Sequence, residues 1–329
     1  MTRRIGQYQF AEFGSSDVLQ WQESELTKPG VGEVTIEHTA IGVNYIDIYH
    51  RSGQFAAPLT LPSGLGVEGA GVISDVGAQA LGFNVGDEVV YAGGPPGAYA
   101  NVRNVPAGRV IKLPSDIAHR QAAALFFKGL TAEYLIRRCY RVQAGTCVVL
   151  HAAAGGVGQI VSQWLKHLGA TVIGVVSTQE KAELAEANGC DHVVMLQRDD
   201  LVKRVTEITN GKGVDVVYDS VGRDTFEASL ACLKVRGTLV SFGAASGPVA
   251  ALDIASLGAQ GSVYLTRPSI AHYTADRHDL ETAAQAVFDV IRKRVIRAEK
   301  ITEYPLSDAP KLHQAMQARE TMGSLLLVP

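Results

Sequence analysis

The sequence predicts an α/β protein: a doubly wound parallel sheet, preceded and followed by segments of a second, mainly β region. Two observations carry this reading. Thr146–Gly158 (TCVVLHAAAGGVG) takes an apolar run through a turn of small residues straight into helical periodicity. From there to about residue 265, short β-branched runs alternate with helical patterns, whereas residues 1–125 hold short β-like runs cut by Gly, Pro, Asp and Asn.

The elements follow in order. Cys147–Leu150 is an apolar strand, and Ala153-Ala154-Gly155-Gly156-Val157-Gly158 is the turn. Val157, Ile160, Val161, Trp164, Leu165 and Leu168 then recur every three or four residues until Gly169 stops them. A strand that feeds a glycine turn and a helix points unpaired backbone N–H groups and the positive helix end at one spot, which suits a pyrophosphate. The fingerprint appears as A-x-G-x-x-G, with Ala153 in the first glycine position. Thr171–Val176 supplies the next strand. Lys181–Ala187 reads as helix, His192–Met195 as strand, Leu201–Ile208 as helix and Val214–Tyr218 as strand. Phe226–Leu233 is expected as helix, Thr238–Phe242 as strand, and Ser262–Leu265 as a last apolar strand. Such alternation requires parallel pairing through right-handed crossovers, hence a dinucleotide-binding sheet.

The end of the second strand selects the dinucleotide. NAD sites usually place Asp or Glu there to accept from the ribose hydroxyls. Here the chain reads Ser177-Thr178-Gln179-Glu180-Lys181. A carboxylate at 177 would repel a 2′-phosphate, whereas Ser177 and Lys181 can bond it. The expected cofactor is therefore NADPH.

In the first region Val34–His38, Gly71–Val76, Glu88–Tyr91 and Val110–Leu113 are the expected strands. Past Arg267-Pro268 come a long amphipathic helix (Leu280, Ala283, Ala284, Val287, Phe288, Ile291), a strand near Ile301–Tyr304 and a helix from about Asp308 to Arg319. The apolar run Leu325–Val328 needs a sheet partner and is expected to return to the N-terminal β region. The domains are thus drawn as 1–125 and 266–329, two segments of one domain, around a nucleotide-binding domain at 126–265.

The 329 residues carry 30 Lys and Arg against 33 Asp and Glu, a net charge of −3, which gives no electrostatic reason to expect nucleic acid or anionic membrane as partner. The basic cluster Arg292-Lys293-Arg294, with Arg297 and Lys300, reads as a solvated helix end. No signal-peptide core or long apolar run is present, so a cytoplasmic protein is expected. Cys139, Cys147, Cys190 and Cys232 are scattered without a C-x-x-C pair, as suits reduced thiols.

Several motifs resemble the zeta-crystallin-like quinone oxidoreductases of the medium-chain dehydrogenase/reductase superfamily. These are Asn44-Tyr45-Ile46-Asp47-Ile48-Tyr49, Arg51-Ser52-Gly53, Leu61 to Gly69, Lys128-Gly129-Leu130-Thr131 and the AAAGGVG turn. Val217 to Gly222, Ser241-Phe242-Gly243, Leu265-Thr266-Arg267-Pro268 and Arg319 to Ser324 continue the likeness along essentially the whole chain. The resemblance implies a GroES-like catalytic domain, a Rossmann domain, a homodimer and NADPH-dependent reduction of a small-molecule quinone. It places cofactor contacts at Asn44, Lys128, Thr131, Tyr134, Gly156, Val157, Ser177, Lys181, Ser220, Phe242, Gly243 and Arg319. Gly155, Gly158, Arg198 and Leu265 complete the expected cofactor surface. The chain departs from the family at Leu196 and Phe55, where a Tyr is frequent; Arg198 is the candidate substitute beside the 2′-phosphate.

Zinc-containing relatives hold their metal with Cys, His and a carboxylate. The equivalent stretches here read Gly42-Val43-Asn44-Tyr45 and Gly66-Val67-Glu68, and no cysteine precedes Cys139. Glu68 alone cannot hold zinc, which takes three or four protein ligands. No metal site is expected. Without a Lewis acid the acceptor must already be electrophilic, and a quinone is. The candidate catalytic residues are Asn44 and Tyr49, which hydrogen-bond the substrate oxygen, and Asp47, which orients them. Tyr49 is alternatively an ordinary packed aromatic, Tyr91 reads as structural, and His151 packs under the glycine turn. Two other readings remain: an NADPH-dependent enone reductase with Tyr49 as proton donor, and a structural or RNA-binding NADPH-binding protein. The charge balance argues against the RNA-binding one.

Overall fold

The computed structural model describes residues 3–54, 59–80 and 82–329. It divides into two bodies, Met1–Phe127 with Ala275–Phe288 and Ala298–Pro329, and Lys128–Thr274 with Asp289–Arg297.

The first body opens with β1 (Arg3–Phe10) antiparallel to β2 (Gln20–Leu26). Its main sheet begins with β3 (Glu33–Val43), whose end runs directly into α1 (Tyr45–Ser52). Asn44 is the N-cap of α1, and left-handed Gly53 ends it. There follow β4 (Ser63–Gly64), which pairs with the end of β1, then β5 (Glu68–Val76), β6 (Glu88–Ala92), β7 (Val102–Pro106), β8 (Val110–Lys112) and α2 (His119–Glu133).

Beyond α2 the helix tightens its hydrogen bonding less, not more. Tyr134–Cys139 forms a π-helical turn, with Tyr140 N–H donating to the Leu135 carbonyl over 3.1 Å. The buried Tyr218 hydroxyl donates to the same carbonyl, also over 3.1 Å. The parallel sheet follows as β9 (Cys147–His151), α3 (Gly156–His167), β10 (Thr171–Val176), α4 (Gln179–Ala187), β11 (His192–Met195), α5 (Leu201–Ile208) and β12 (Val214–Asp219). It is completed by α6 (Phe226–Ala231), β13 (Leu233–Ser241), α7 (Ile254–Ala259), β14 (Tyr264–Thr266) and α8 (Ile270–Tyr273). The strand order is β11-β10-β9-β12-β13-β14, all parallel, with the first strand central. The centres of the middle strands are apolar because helices cover both faces; Val148, Val149, Leu150, Ile173 and Val217 are entirely buried.

The chain then continues through α9 (Arg277–Arg292), β15 (Ile301–Pro305), α10 (Ala309–Gln317) and β16 (Ser324–Val328). β16 enters the first body's sheet between β15 and β3, with Leu325 opposite Val43, so the order there is β15-β16-β3-β5-β6-β8. The expected return of the terminal strand is what the sheet shows. Its core gathers Val34, Ile36, Ile41, Ile73, Val89, Tyr99 and Leu327.

Several boundaries differ from the sequence reading: β3 runs on to Val43, β5 opens already at Glu68, and β13 closes at Ser241. Leu233 opens β13 instead of closing a helix, since α6 stops at Ala231. Ser262 lies outside β14 and adopts a left-handed φ of 56°. Arg319 lies beyond α10, whose last residue is Gln317. Among the described residues no helix is long and apolar enough to cross a membrane.

Candidate functional site

In the second body the expected cofactor residues converge because parallel strands all end at the same edge. β9 ends at His151 and leads into Gly155–Gly158; β10 ends at Val176, one residue before Ser177. β11 ends at Met195, three residues before Arg198, and β12 and β13 lead into Ser220 and Phe242-Gly243. Leu265 lies within β14, itself at the edge of the sheet.

The glycine turn is built for close backbone approach. Gly155 is the N-cap of α3 and offers no side chain to its first turn, so the N–H groups of Gly156, Val157 and Gly158 keep no intrahelical partner. At Gly158 a Cβ would stand 2.2 Å from the Ala152 carbonyl oxygen, so only glycine lets α3 start this tightly against β9. Ala152 itself adopts a left-handed φ of 52° to make the turn. A bare helix start of this kind fits a pyrophosphate.

The second strand end fits a 2′-phosphate. Ser177 is half-buried, Thr178 caps α4 by accepting from Lys181 N–H over 3.3 Å, and Lys181 sits in the first turn of α4. Arg198 is exposed on the turn after β11, which is paired to β10 through Val176 and Met195. Two cations and a hydroxyl thus stand at adjoining strand ends, with Glu180 exposed.

Lys128 and Thr131, one helical turn apart on α2, are both buried, as is Tyr134 at the start of the π-helical turn. Tyr134 stacks on Tyr273 with ring centroids 4.7 Å apart and 13° between planes. Burial raises the Tyr134 hydroxyl's pKa, keeping it protonated. Asp219 fixes the Ser220 turn: its Oδ1 accepts from the N–H groups of Val221 (2.7 Å) and Gly222 (3.1 Å), and its Oδ2 from Thr225 (2.8 Å) and Ser229 (3.1 Å). His151 is buried against this cluster, with Nε2 2.9 Å from the Ser229 hydroxyl.

The remaining candidates belong to the first body. Asn44 and Asp47 form a capping box at the start of α1, in which Asp47 Oδ2 accepts from Asn44 N–H over 2.9 Å. Asp47 is completely buried and also accepts from the Tyr99 hydroxyl over 3.1 Å. The Asn44 side-chain amide donates to Glu68 Oε2 over 2.8 Å. Tyr49 lies two residues past Asp47, hence on the opposite side of α1, where it packs edge-on against Tyr45 with centroids 5.2 Å apart. The Asp47 carboxylate thus holds the backbone of Asn44. Arg319, immediately past α10, lies near enough to Tyr45 to lower its pKa against the larger raising effect of burial. Tyr91 is fully buried with its hydroxyl 3.0 Å from His38 Nε2, a core residue. Phe55 lies outside the described residues.

Two side chains with a part in these surfaces escaped the sequence reading. Arg267 Nη1 donates to the carbonyls of Ser241 (3.0 Å) and Gly243 (2.6 Å), holding the turn after β13. Glu68, in sequence a lone carboxylate that cannot hold zinc, is the other. Its signal was a carboxylate within the otherwise small and apolar Gly66–Ala70. Among the described residues no group of three or more His, Cys, Asp or Glu is placed to hold a metal ion.

A parallel sheet in 3-2-1-4-5-6 order with a glycine turn at its first strand, together with a β body drawn from the sequence on both sides of it, defines a nucleotide-dependent dehydrogenase of the medium-chain type. Family models agree: residues 30–115 match the alcohol dehydrogenase GroES-like domain, and residues 156–288 match the zinc-binding dehydrogenase domain. The quinone oxidoreductase of Pseudomonas aeruginosa is 44% identical over the full length of both chains. The crystal structure of Escherichia coli quinone oxidoreductase complexed with NADPH superposes with a TM-score of 0.96 at 45% identity, covering 98% of this chain and 100% of that one. A 2-haloacrylate reductase from Burkholderia sp. is 42% identical over 96% of each chain. The chain belongs to the quinone oxidoreductase family of the medium-chain dehydrogenase/reductase superfamily.

Proposed function

We propose that the protein is an NADPH-dependent quinone reductase that passes reducing equivalents from NADPH to a quinone without a metal. The carrying observation is the second strand end, where Ser177, Lys181 and Arg198 stand without a carboxylate at position 177. The bare first turn of α3 takes the pyrophosphate. Lys128, Thr131, Tyr134, Ser220, Phe242, Gly243, Leu265, Asn44 and Arg319 are the remaining expected contacts. NADPH supplies the hydride. The chain's own task is to orient both partners and to donate a hydrogen bond to the quinone oxygen, and the Asn44 side-chain amide is the donor of choice. Val67 and Asn44, standing where metal ligands would be needed, make a Lewis-acid role at this position chemically unsuited.

Purified protein is expected to oxidise NADPH faster than NADH when 1,4-benzoquinone is supplied. NADPH binding without turnover across a quinone panel would reject the proposal. The second reading, an enone reductase, draws on the 2-haloacrylate reductase relative and on Tyr49 as a proton donor; a simple enone turned over faster than 1,4-benzoquinone would favour it.

We also propose a cytoplasmic homodimer. The four cysteines are unpaired, which suits a reducing compartment. β14 is an edge strand whose Tyr264 and Leu265 are 57% and 37% exposed, an arrangement that a second copy would cover. Sedimentation at twice the chain's mass tests the dimer.

A further inference from the structure

Glu68 opens β5 and is completely buried. Both carboxylate oxygens are engaged by N–H donors of the same body: Oε2 accepts from Asn44 Nδ2 over 2.8 Å and Oε1 from the Phe127 backbone N–H over 2.7 Å. The second contact is unusual, because Phe127 lies in the interior of α2, where the carbonyl four residues back normally takes the N–H. The neighbouring strand is cut to make room. A Cβ at Gly42 would stand 2.1 Å from Glu68 Oε2 and 2.5 Å from the Ala123 carbonyl oxygen. A buried carboxylate is costly unless its lone pairs are filled by hydrogen bonds, and this one is seated by β3, α1 and α2 together.

We infer that Glu68 is a positioning residue for Asn44, setting which way its carboxamide faces; this rests on the reading of Asn44 as the donor to the quinone oxygen. Glu68 takes one of the two Asn44 amide hydrogens, while the capping box turns the side-chain oxygen toward Asp47, whose N–H bonds the Asn44 backbone carbonyl over 3.0 Å. A flip would set the amide oxygen against the Glu68 carboxylate, so Nδ2 stays on that side, and its second hydrogen is the donor it retains. Glutamate is required for this, not merely a side chain of its shape. The Asn44 amide and the Phe127 N–H each need an acceptor oxygen here. A glutamine would turn its own NH2 toward one of them, so either the Asn44 amide or the Phe127 N–H would lose its partner.

The test is a double-mutant comparison by steady-state NADPH oxidation with 1,4-benzoquinone. Glu68→Gln and Asn44→Ala are each expected to lower kcat on the order of 10- to 100-fold, as misplacing a reacting contact does. The double variant is expected to lose no more than the worse single one, because both act through the same hydrogen. Losses that multiply, or a Glu68→Gln enzyme with wild-type kcat, would overturn the inference. Gly42→Ala keeps the carboxylate but presses on it; it replaces Glu68→Gln in the cycle should that variant not fold, with the same two outcomes. A wild-type protein that oxidises no NADPH with quinone overturns the functional reading, and this inference with it. Wild-type turnover with multiplying losses overturns this inference alone.

Discussion

The Tyr99 hydroxyl donates to Asp47 Oδ2 over 3.1 Å, so its bond to His313 Nε2 at 2.9 Å is one it must accept. That fixes His313 as the Nε2–H tautomer and leaves its buried Nδ1 without a partner. Burial, with a smaller contribution from the Arg51 charge, pushes the His313 pKa down to about 3. His38 is the mirror case. Its Nδ1 lies 2.7 Å from the Ala100 carbonyl and must donate, leaving Nε2 to accept from Tyr91; burial lowers its pKa to about 4.

Both histidines are therefore neutral in the folded protein down to about pH 4, whereas in the unfolded chain they take up protons near the ordinary value of 6.5. Their stabilising contribution is complete above pH 6.5 and declines as the pH falls, by about 1.4 kcal/mol per pH unit for each proton. Urea midpoints measured between pH 7 and pH 4.5 should drop steadily. His313→Gln should flatten that dependence by one proton. An unchanged slope would contradict the assignment.

Lys181→Ala should weaken NADPH binding by about 1.5–3 kcal/mol, the worth of a charge-assisted hydrogen bond, with little change for NADH. Fluorescence titration of both cofactors reads this directly. Equal losses would remove Lys181 from the 2′-phosphate site.

Arg319 separates stability from binding. It occupies the residue after the cap of α10 with φ 61°, while its N–H bonds the Met316 carbonyl (3.1 Å) and Glu320 N–H bonds that of Ala315 (3.0 Å). Glycine is the usual occupant of this position, and a side chain there costs about 1 kcal/mol. Arg319→Gly should raise the thermal midpoint slightly while weakening NADPH binding. A variant that gains stability and binds NADPH as before would show that the arginine has no part in the cofactor site.

Metal chelators should leave quinone turnover unchanged, and added zinc should not raise it. The reason lies in the residues: Val67 and Asn44 lack the donor chemistry zinc needs, and Glu68 is already held by two N–H groups. Activity that falls on chelation and returns with a divalent cation would refute this.

The parallel sheet was legible because its signals are local. β11 and α5 fall at the expected residues, since β11 is a compact run around Val193-Val194 and α5 is strongly amphipathic. Leu233 was misread because an apolar residue between Cys232 and Lys234 fits either period. The β1–β2 pair was missed because β2 (QWQESEL) is a polar edge strand with little alternation. The π-helical turn at Tyr134 has no sequence period of its own, and its Leu135 carbonyl accepts from Tyr218, far along the chain. The site divides the same way. The glycine turn and Ser177–Lys181 could be read from short stretches, whereas the Glu68–Asn44–Phe127 arrangement joins three segments and becomes visible only once folded.

The place of β16 dictates an order of assembly. Its five residues are inserted between β15 and β3, so the sheet begun by β3 stays incomplete until nearly the whole chain has been synthesised. The parallel sheet needs no such wait. On the ribosome the nucleotide-binding half is thus free to settle first, while the half carrying Asn44 and Glu68 keeps an open flank that the last-made strand must fill.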